Sequence, residues 1–171
     1  VQFAMNAGMF MENGHPLGLY KGEGKTIMKL NTRKQAVGNF YIEPNGVFSV
    51  TDHGAAIVPT KHWGHFSGKF ETLYATQSGP LLVIGKKINP NIENAKNSRT
   101  IRNGVCMADK QVIFSVSLVG VSFLEFAKHF RDDLHCDDAL YFDGAISDFE
   151  WPEKGYKARG NALGPMLVVT R

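Results

Sequence analysis

Apolar runs separated by short polar turns follow one another along most of the chain, and they predict a fold rich in β-strands. The run QVIFSVSL at 111–118 is strongly β-branched, and ALYFD at 139–143 and GPMLVVTR at 164–171 have the same apolar character. Gly, Asn or Asp residues, which favour turns, lie beside each run. We therefore expect each of the three runs to contain a strand, and the strands within 139–143 and 164–171 to be buried.

Two segments carry hairpin patterns. Residues 19–30 alternate apolar and polar positions around two glycines, and Pro44-Asn45-Gly46 separates two apolar runs. Proline presets φ near the value that a turn needs, while Asn and Gly tolerate positive φ. The pattern predicts a hairpin at each place, whereas residues 51–71 lack a clear period and indicate irregular structure or one short helix.

Residues 122–135 have the periodicity of an amphipathic helix. Ser122 and Glu125 form the pattern of a capping box, in which the two side chains bind backbone N–H groups of the first helical turn. An apolar stripe then follows at helical spacing, and it consists of Phe123, Phe126, Ala127, Phe130 and Leu134. The segment is therefore expected to dock on the core by its phenylalanine face.

This helix lies between the strands at 111–118 and 139–143, and the three elements predict a βαβ unit with parallel strands. The carboxyl ends of parallel strands lie at one edge of a sheet, where α/β proteins often build ligand sites. The sequence thus predicts the α/β class in its α+β form, as a single domain with a mixed β-sheet, hairpins and one βαβ unit.

The composition is that of an ordinary globular protein. The chain has 171 residues, of which 43% are hydrophobic and 20% charged, with a net charge of +3, so we expect residues 1–171 to form one domain. Basic residues are scattered and no long apolar run occurs, which predicts neither nucleic-acid binding nor a membrane span. The chain begins at Val1 without a charged and apolar leader, as a mature or truncated chain lacking an N-terminal segment would.

Cysteine and histidine usage gives little support for a metal. Cys106 and Cys136 leave two alternatives open, a disulfide in an oxidising compartment or two buried thiols. His62 and His65 have an HxxH spacing, but no H-E-x-x-H motif occurs and no carboxylate completes a recognisable ligand set. We expect neither a bound metal nor another cofactor.

An acid at the end of a predicted buried strand is the first candidate for chemistry. Asp143 follows the apolar residues of ALYF and precedes Gly144, while Ser147 and Asp148 add a hydroxyl and a second acid nearby. Two interpretations compete, because an Asp-Gly pair also closes ordinary turns. Asp143 is therefore either a turn residue or the reactive carboxylate of a site.

Three further segments offer ligand-binding groups. Asn6 follows a predicted strand into a glycine turn, and Ser78-Gly79 precede the buried run LLVI; backbone N–H groups at such glycine turns can approach an anion. In NSRTIRNG, Arg99 and Asn103 lie close together in sequence with a second arginine, Arg102. A guanidinium suits bidentate phosphate binding, but alternation along an extended segment places only one of the two arginines on a given face.

Six short motifs, taken in order, resemble the phosphodiester glycosidase family. They are NAGMF at 6–10, QSGPLLV at 77–83, SRT and RNGV within 98–105, FSVS at 114–117, FLEFAKHFRDDLHC at 123–136 and ALYFDGAIS at 139–147. The resemblance implies a mixed α/β domain, hydrolysis of a sugar-1-phosphodiester, and polar site positions at Asn6, Ser78, Arg99, Asn103, Asp143 and Ser147. Many relatives have a second glycine after Asp-Gly, whereas this chain has Ala145, a form similar to a bacterial branch.

The chemistry implied by the resemblance needs few groups. A phosphate monoester is a better leaving group than a sugar hydroxyl, so strong general-acid assistance is less necessary. Asp143 is the expected catalytic residue, as nucleophile or as general base, while Arg99 and the amides near Ser78-Gly79 hold the departing phosphate. Asn6, Asn103, Gly144 and Ser147 complete the expected substrate-binding set.

By resemblance, the partner is a glycan or sugar-phosphate substrate, and the protein is exported, periplasmic or otherwise associated with a bacterial envelope. Two alternatives remain at this stage. One is a non-catalytic envelope domain that binds a phosphorylated glycan. The other is a phosphodiesterase that attacks phosphorus, a reaction for which a metal is commonly needed.

Overall fold

The computed structural model describes residues 1–92, 98–144, 147–160 and 163–171. Within these ranges the strands form three antiparallel sheets, accompanied by two short α-helices, which confirms the α+β class. The strands are β1 (Phe3–Asn6), β2 (Tyr20–Gly22), β3 (Lys25–Met28), β4 (Gly46–Thr51), β5 (Gly54–Pro59), β6 (Thr72–Ser78), β7 (Leu81–Ile84), β8 (Lys87–Ile88), β9 (Asn103–Ala108), β10 (Gln111–Val116), β11 (Asp138–Tyr141), β12 (Phe149–Glu150) and β13 (Met166–Val169). The helices are α1 (Trp63–Lys69) and α2 (Phe123–Lys128).

The central sheet has the strand order β10-β9-β11-β7-β8. β10 and β11 each pair antiparallel with β9, so they run parallel to each other and end at the same edge, as predicted. The arrangement differs from the predicted mixed sheet because β9 lies between these two strands and every pairing among the described strands is antiparallel. The physical reason is local: Asp109 and Lys110 both adopt positive φ, 45° and 67°, and close a tight hairpin that pairs β10 with β9.

The second sheet has the order β3-β2-β6-β4-β5 and contains strands from both segments in which a hairpin was predicted. The first is confirmed, because β2 and β3 pair across Glu23-Gly24, where both residues have positive φ. The second is wrong: residues 39–41 form a 3-10 turn, and β4 pairs with β5 instead. The side chain of Asn45 is buried and donates a hydrogen bond to Phe40 O (3.0 Å), so it serves packing between segments and not a hairpin turn.

The third sheet, β12-β1-β13, contains the strand predicted at the carboxyl end of the chain. The strand is present and pairs with β1 along its whole length. It is not buried as expected, since Met166 and Val168 are 41% and 50% exposed. An apolar run is thus a guide to strand formation here but not to burial.

Helix α2 begins as predicted. Ser122 Oγ accepts a hydrogen bond from the N–H of Glu125 (3.1 Å), and Glu125 Oε2 accepts one from the N–H of Ser122 (2.7 Å). The phenylalanine face packs into the core with Tyr141. After Lys128 the helix continues as a wider turn over His129–Asp133. Neither helix within the described ranges has the length and apolar character that crossing a bilayer requires.

The two cysteines form a disulfide, so they are not a pair of buried thiols. Cys106 lies in β9 and Cys136 lies between the end of the helical segment and β11, with both residues buried in the main core. The bond therefore ties the helical segment to the sheet it covers. The predicted Asn-rich surface loop at 89–98 falls mostly outside the described residues.

Candidate active site

Three segments distant in sequence meet where β11 ends. Phe142 N–H donates to Asn103 O at the start of β9 (3.0 Å), and Asp143 N–H donates to Ala7 O just beyond β1 (3.1 Å). Because β9 is antiparallel to β11, its first residue lies at the edge where β11 finishes. The topology therefore brings Asn6, Asn103 and Asp143 together, as the motifs predicted.

Asn6 is the centre of the hydrogen-bond network at this edge. Its Nδ2 donates to Asp143 O (2.7 Å), and its Oδ1 accepts from Asp148 N (2.9 Å) and from Asn103 Nδ2 (2.8 Å). Asn103 Nδ2 also donates to Asn6 O (2.9 Å). Both asparagines are buried, at 2% and 0% exposure. The pair fixes the backbone on both sides of the loop that begins at Asp143.

Asp143 is half-buried, whereas Phe142 and Gly144 on either side of it are buried. Gly144 N–H donates to the Tyr141 hydroxyl (3.0 Å), and Ser147 Oγ donates to Gly144 O (3.0 Å). A Cβ on Gly144 would collide with the Tyr141 hydroxyl, so the loop needs glycine there. Gly144 is thus held by its neighbours, and Asp143 next to it is only half-buried.

Ser78 and Gly79 lie next to this edge. Gly8 N–H donates to Thr76 Oγ1 (3.2 Å), and Tyr141 N–H donates to Pro80 O (3.1 Å), so the end of β6 is linked to both sides of the site. Ser78 is fully buried, and its Oγ has no hydrogen-bond partner within the described residues. Asn103 Oδ1 is also buried and without a hydrogen-bond partner among the described residues. Buried polar atoms without a partner are rare in proteins and mark places where a water or ligand atom belongs.

The two arginines of NSRTIRNG point to different surroundings, as alternation predicted. Arg99 Nη1 lies 2.7 Å from both carboxylate oxygens of Glu125, and its side chain is 58% exposed. Arg102 is 1% exposed, and its guanidinium carbon lies 3.7 Å from the centre of the Phe123 ring. Within the described part of the chain, no hydrogen bond or ion pair joins Arg99 to the Asn6, Asn103 and Asp143 cluster.

Burial and hydrogen bonding set the ionisation of the groups around the site. Hydrogen bonds from the Ser122 backbone and from Arg99 hold the pKa of Glu125 at about 2. Burial raises the pKa of Tyr141, so its hydroxyl keeps its proton at neutral pH. Burial also lowers the pKa of Arg102, which stays charged because an arginine pKa starts so high.

Tyr141 is a residue of this edge that the sequence did not single out, whereas Asp148 was noted only as a second acid near Asp143. Tyr141 supports Gly144 through its hydroxyl. Asp148 is 3% exposed, and both of its carboxylate oxygens accept the N–H of Arg159, at 2.8 and 3.0 Å. The only available signal was their position, because they flank Asp143 and Ser147 on the same strand end and loop.

Two concavities differ in their relation to the site. A groove of about 700 Å³ is lined mainly by apolar side chains such as Phe48, Val50, Phe114 and Leu167, and it contains none of the predicted site residues. A smaller cavity of about 110 Å³ is bordered by Ser147 and Asp148. The smaller one adjoins the cluster around Asp143. Among the described residues, no group of three or more His, Cys, Asp or Glu side chains is arranged to hold a metal.

The chain is similar to known proteins in both sequence and fold. The chain is 38% identical over 148 residues to the uncharacterized protein YigE of Escherichia coli strain K12, covering 86% of this chain and 57% of that protein. Its fold is similar to the zebrafish N-acetylglucosamine-1-phosphodiester alpha-N-acetylglucosaminidase catalytic domain auto-inhibited by its pro-peptide, with a TM-score of 0.61, 17% identity, and coverage of 88% and 53%. A hypothetical protein from Synechocystis is also similar, with a TM-score of 0.53, 15% identity, and coverage of 87% and 47%.

The chain spans about half the length of these relatives. The two solved structures are too distant in sequence to show more than the fold. The family model described as phosphodiester glycosidase matches residues 1–154, which include Asn6, Asn103 and Asp143. The chain therefore belongs to the phosphodiester glycosidase family.

Proposed function

We propose that the protein hydrolyses the glycosidic bond of a sugar-1-phosphodiester and releases a free sugar and a phosphate monoester, with Asp143 as the catalytic carboxylate. Membership of the phosphodiester glycosidase family supports the class of reaction. A similar fold with a named activity is that of the zebrafish enzyme, an N-acetylglucosamine-1-phosphodiester alpha-N-acetylglucosaminidase.

One observation carries the proposal, and it is the way in which Asp143 is held. Its N–H and C=O are bound to Ala7 and Asn6, from a segment more than a hundred residues earlier, while the residue itself is only half-buried. A carboxylate on a backbone fixed from two sides is preorganised for attack or proton transfer. An ordinary turn Asp does not need such support.

The proposed reaction requires only one carboxylate from the protein. The bond between the anomeric carbon and the bridging oxygen breaks, and its electron pair stays on that oxygen, which becomes part of the phosphate monoester. Water supplies the hydroxyl of the sugar, and the remaining proton returns to solvent or to the product. Asp143 acts at the anomeric carbon, either by attacking it or by taking a proton from the attacking water.

The same proposal includes an oxidising compartment, such as the bacterial periplasm or the cell envelope. The Cys106–Cys136 disulfide supports it, because structural disulfides persist in exported proteins and are rare in the reducing cytosol. A glycan phosphodiester of the envelope is the substrate class that fits this location.

The test is an analysis of products by mass spectrometry after incubation with an N-acetylglucosamine-1-phosphodiester. The parent should release the free sugar and the intact phosphate monoester, and Asp143→Asn should release neither. Asp138→Asn is the matched control, because it makes the same change at the opposite end of β11. It should retain activity.

The alternatives give different products. Sugar phosphate plus free alcohol would identify a phosphodiesterase, and activity lost on chelation would point to a metal. Binding of the compound by both the parent and Asp143→Asn, without any product, would identify a binding domain. Equal activity of Asp143→Asn and the parent would refute the role of Asp143.

A further inference from the structure

The loop that follows the site folds back over it. Trp151 and Tyr156 bridge each other through two backbone hydrogen bonds, of 2.9 and 3.1 Å, around a 3-10 turn that ends at Gly155 with φ of 74°. The rings of Phe149 and Tyr156 lie 5.1 Å apart. Arg159 N–H then reaches both carboxylate oxygens of Asp148. The segment after Tyr156 is therefore attached to Asp148, at the edge of the site.

This return creates the cavity of about 110 Å³ next to Ser147. Its far wall consists of the segment after β10, including Ser117. The volume lies well below the roughly 300 Å³ at which pockets for small organic ligands begin. It has room for a few waters or one tetrahedral anion, but not for a sugar ring with its substituents.

The charges around the cavity suit an anion. Lys157 and Arg159 line it, both are exposed, and within the described residues neither side chain forms an ion pair. Ser117 Oγ accepts the N–H of Arg102 (2.8 Å), which leaves the hydrogen of the Ser117 hydroxyl available to a ligand. Asp148 also borders the cavity, with its carboxylate oxygens accepting the N–H of Arg159, and the two cations outnumber this one acidic side chain.

Arg99 Nη1 lies 2.7 Å from both carboxylate oxygens of Glu125, and the cations that line the cavity next to Ser147 are Lys157 and Arg159. We propose that the cavity beside Ser147 is the phosphate subsite, and that Lys157 and Arg159 are the cations that bind the phosphate. The inference rests on the proposed function, since it names the part of that site that holds the phosphate. Both residues lie beyond the segment 1–154 that the family model matches.

The test measures binding of inorganic phosphate and of glycerol phosphate by titration calorimetry at low and high salt. Lys157→Gln with Arg159→Gln should fold like the parent, because the Asp148 contact uses the backbone of Arg159 and not its side chain. The double variant should raise Kd for phosphate by about tenfold or more, the effect of losing a charge-assisted hydrogen bond. Binding of free N-acetylglucosamine should not change.

Lys154→Gln is the matched control, because Lys154 lies in the same loop, near the Trp151 ring, and does not line the cavity. It should bind phosphate as the parent does. A parent that does not bind phosphate, a double variant that binds it as tightly as the parent, or an equal loss in Lys154→Gln would each overturn the subsite.

The subsite and the proposed reaction can fail separately. Phosphate binding that depends on Lys157 and Arg159, in a chain that cleaves no diester, would retain the subsite and refute the hydrolase. Diester hydrolysis with an unchanged KM in the double variant would retain the hydrolase and refute the subsite.

Discussion

Replacing Asn6 by Ala should destabilise the protein by far more than a typical single substitution. The side chain makes three hydrogen bonds, with Asp143 O, Asp148 N and Asn103 Nδ2, all at 2.9 Å or less, and is 2% exposed. Each bond contributes about 1 kcal/mol net, and a buried group left without its partner costs about 1–3 kcal/mol. Because water can enter part of the space, we expect a loss of about 3–5 kcal/mol in the free energy of unfolding.

Urea denaturation at neutral pH measures this loss, with an unchanged m-value as the check that the unfolding reaction is the same. Asn13→Ala is the control, since Asn13 is exposed and its side chain accepts the N–H of His15 (3.1 Å); it should change stability by less than about 0.5 kcal/mol. A loss below about 1 kcal/mol for Asn6→Ala would refute the view that this network holds the site together.

Three further perturbations test the packing, the helix terminus and the disulfide. Gly79→Ala should lower the free energy of unfolding by about 1–3 kcal/mol, because the new Cβ would lie 2.6 Å from Phe40 O. Gly68→Ala, which adds a Cβ in open space on α1, should raise it by about 0.5–1 kcal/mol. Equal effects of the two substitutions in urea denaturation would contradict this reasoning. The folded pKa of Glu125 is depressed from 4.5 to about 2, so its stabilising effect is present above pH 4.5 and is lost as the pH falls towards 2. Glu125→Gln should therefore be less stable than the parent at neutral pH and converge with it in acid, and a constant difference across pH would argue against the ion pair. Removing the disulfide by changing both cysteines to Ala should cost about 3 kcal/mol, because the bond closes a loop with a separation of 30 residues, and an unchanged denaturation midpoint would show that the bond does not form.

Local signals account for what the sequence predicted about the fold. The capping box and the phenylalanine stripe of α2 lie within one segment, and both are present. The segment Pro44-Asn45-Gly46 has an equally good turn pattern, but the hairpin that it predicted is absent. The Asn45 side chain instead donates a hydrogen bond to Phe40 O. The position of β9 between β10 and β11 depends on the Asp109-Lys110 hairpin and on pairing across the sheet, which no periodicity shows.

For the site too, the sequence predicted which residues take part but not the contacts that their side chains make. The sequence placed Asn6, Ser78 and Asp143 at strand ends and included Asn103 in the substrate-binding set, and the structure joins Asn6 to Asp143 and to Asn103. The use of the Asn6 side chain was not predictable, because its partners lie 97, 137 and 142 residues away. Arg99 was expected to hold phosphate, and its bond to Glu125 across 26 residues depends on how the helix docks. That role for Arg99 stays a prediction.

Oxygen-18 tracing tests the central claim most directly, because it identifies the bond that breaks. The diester is hydrolysed by the parent in oxygen-18 water, and the phosphate monoester is examined, since the sugar hydroxyl exchanges with water and the phosphate oxygens do not. Cleavage at the anomeric carbon, as proposed, leaves the monoester free of label. A monoester or sugar phosphate carrying one oxygen-18 atom would show attack at phosphorus and contradict the glycosidase assignment.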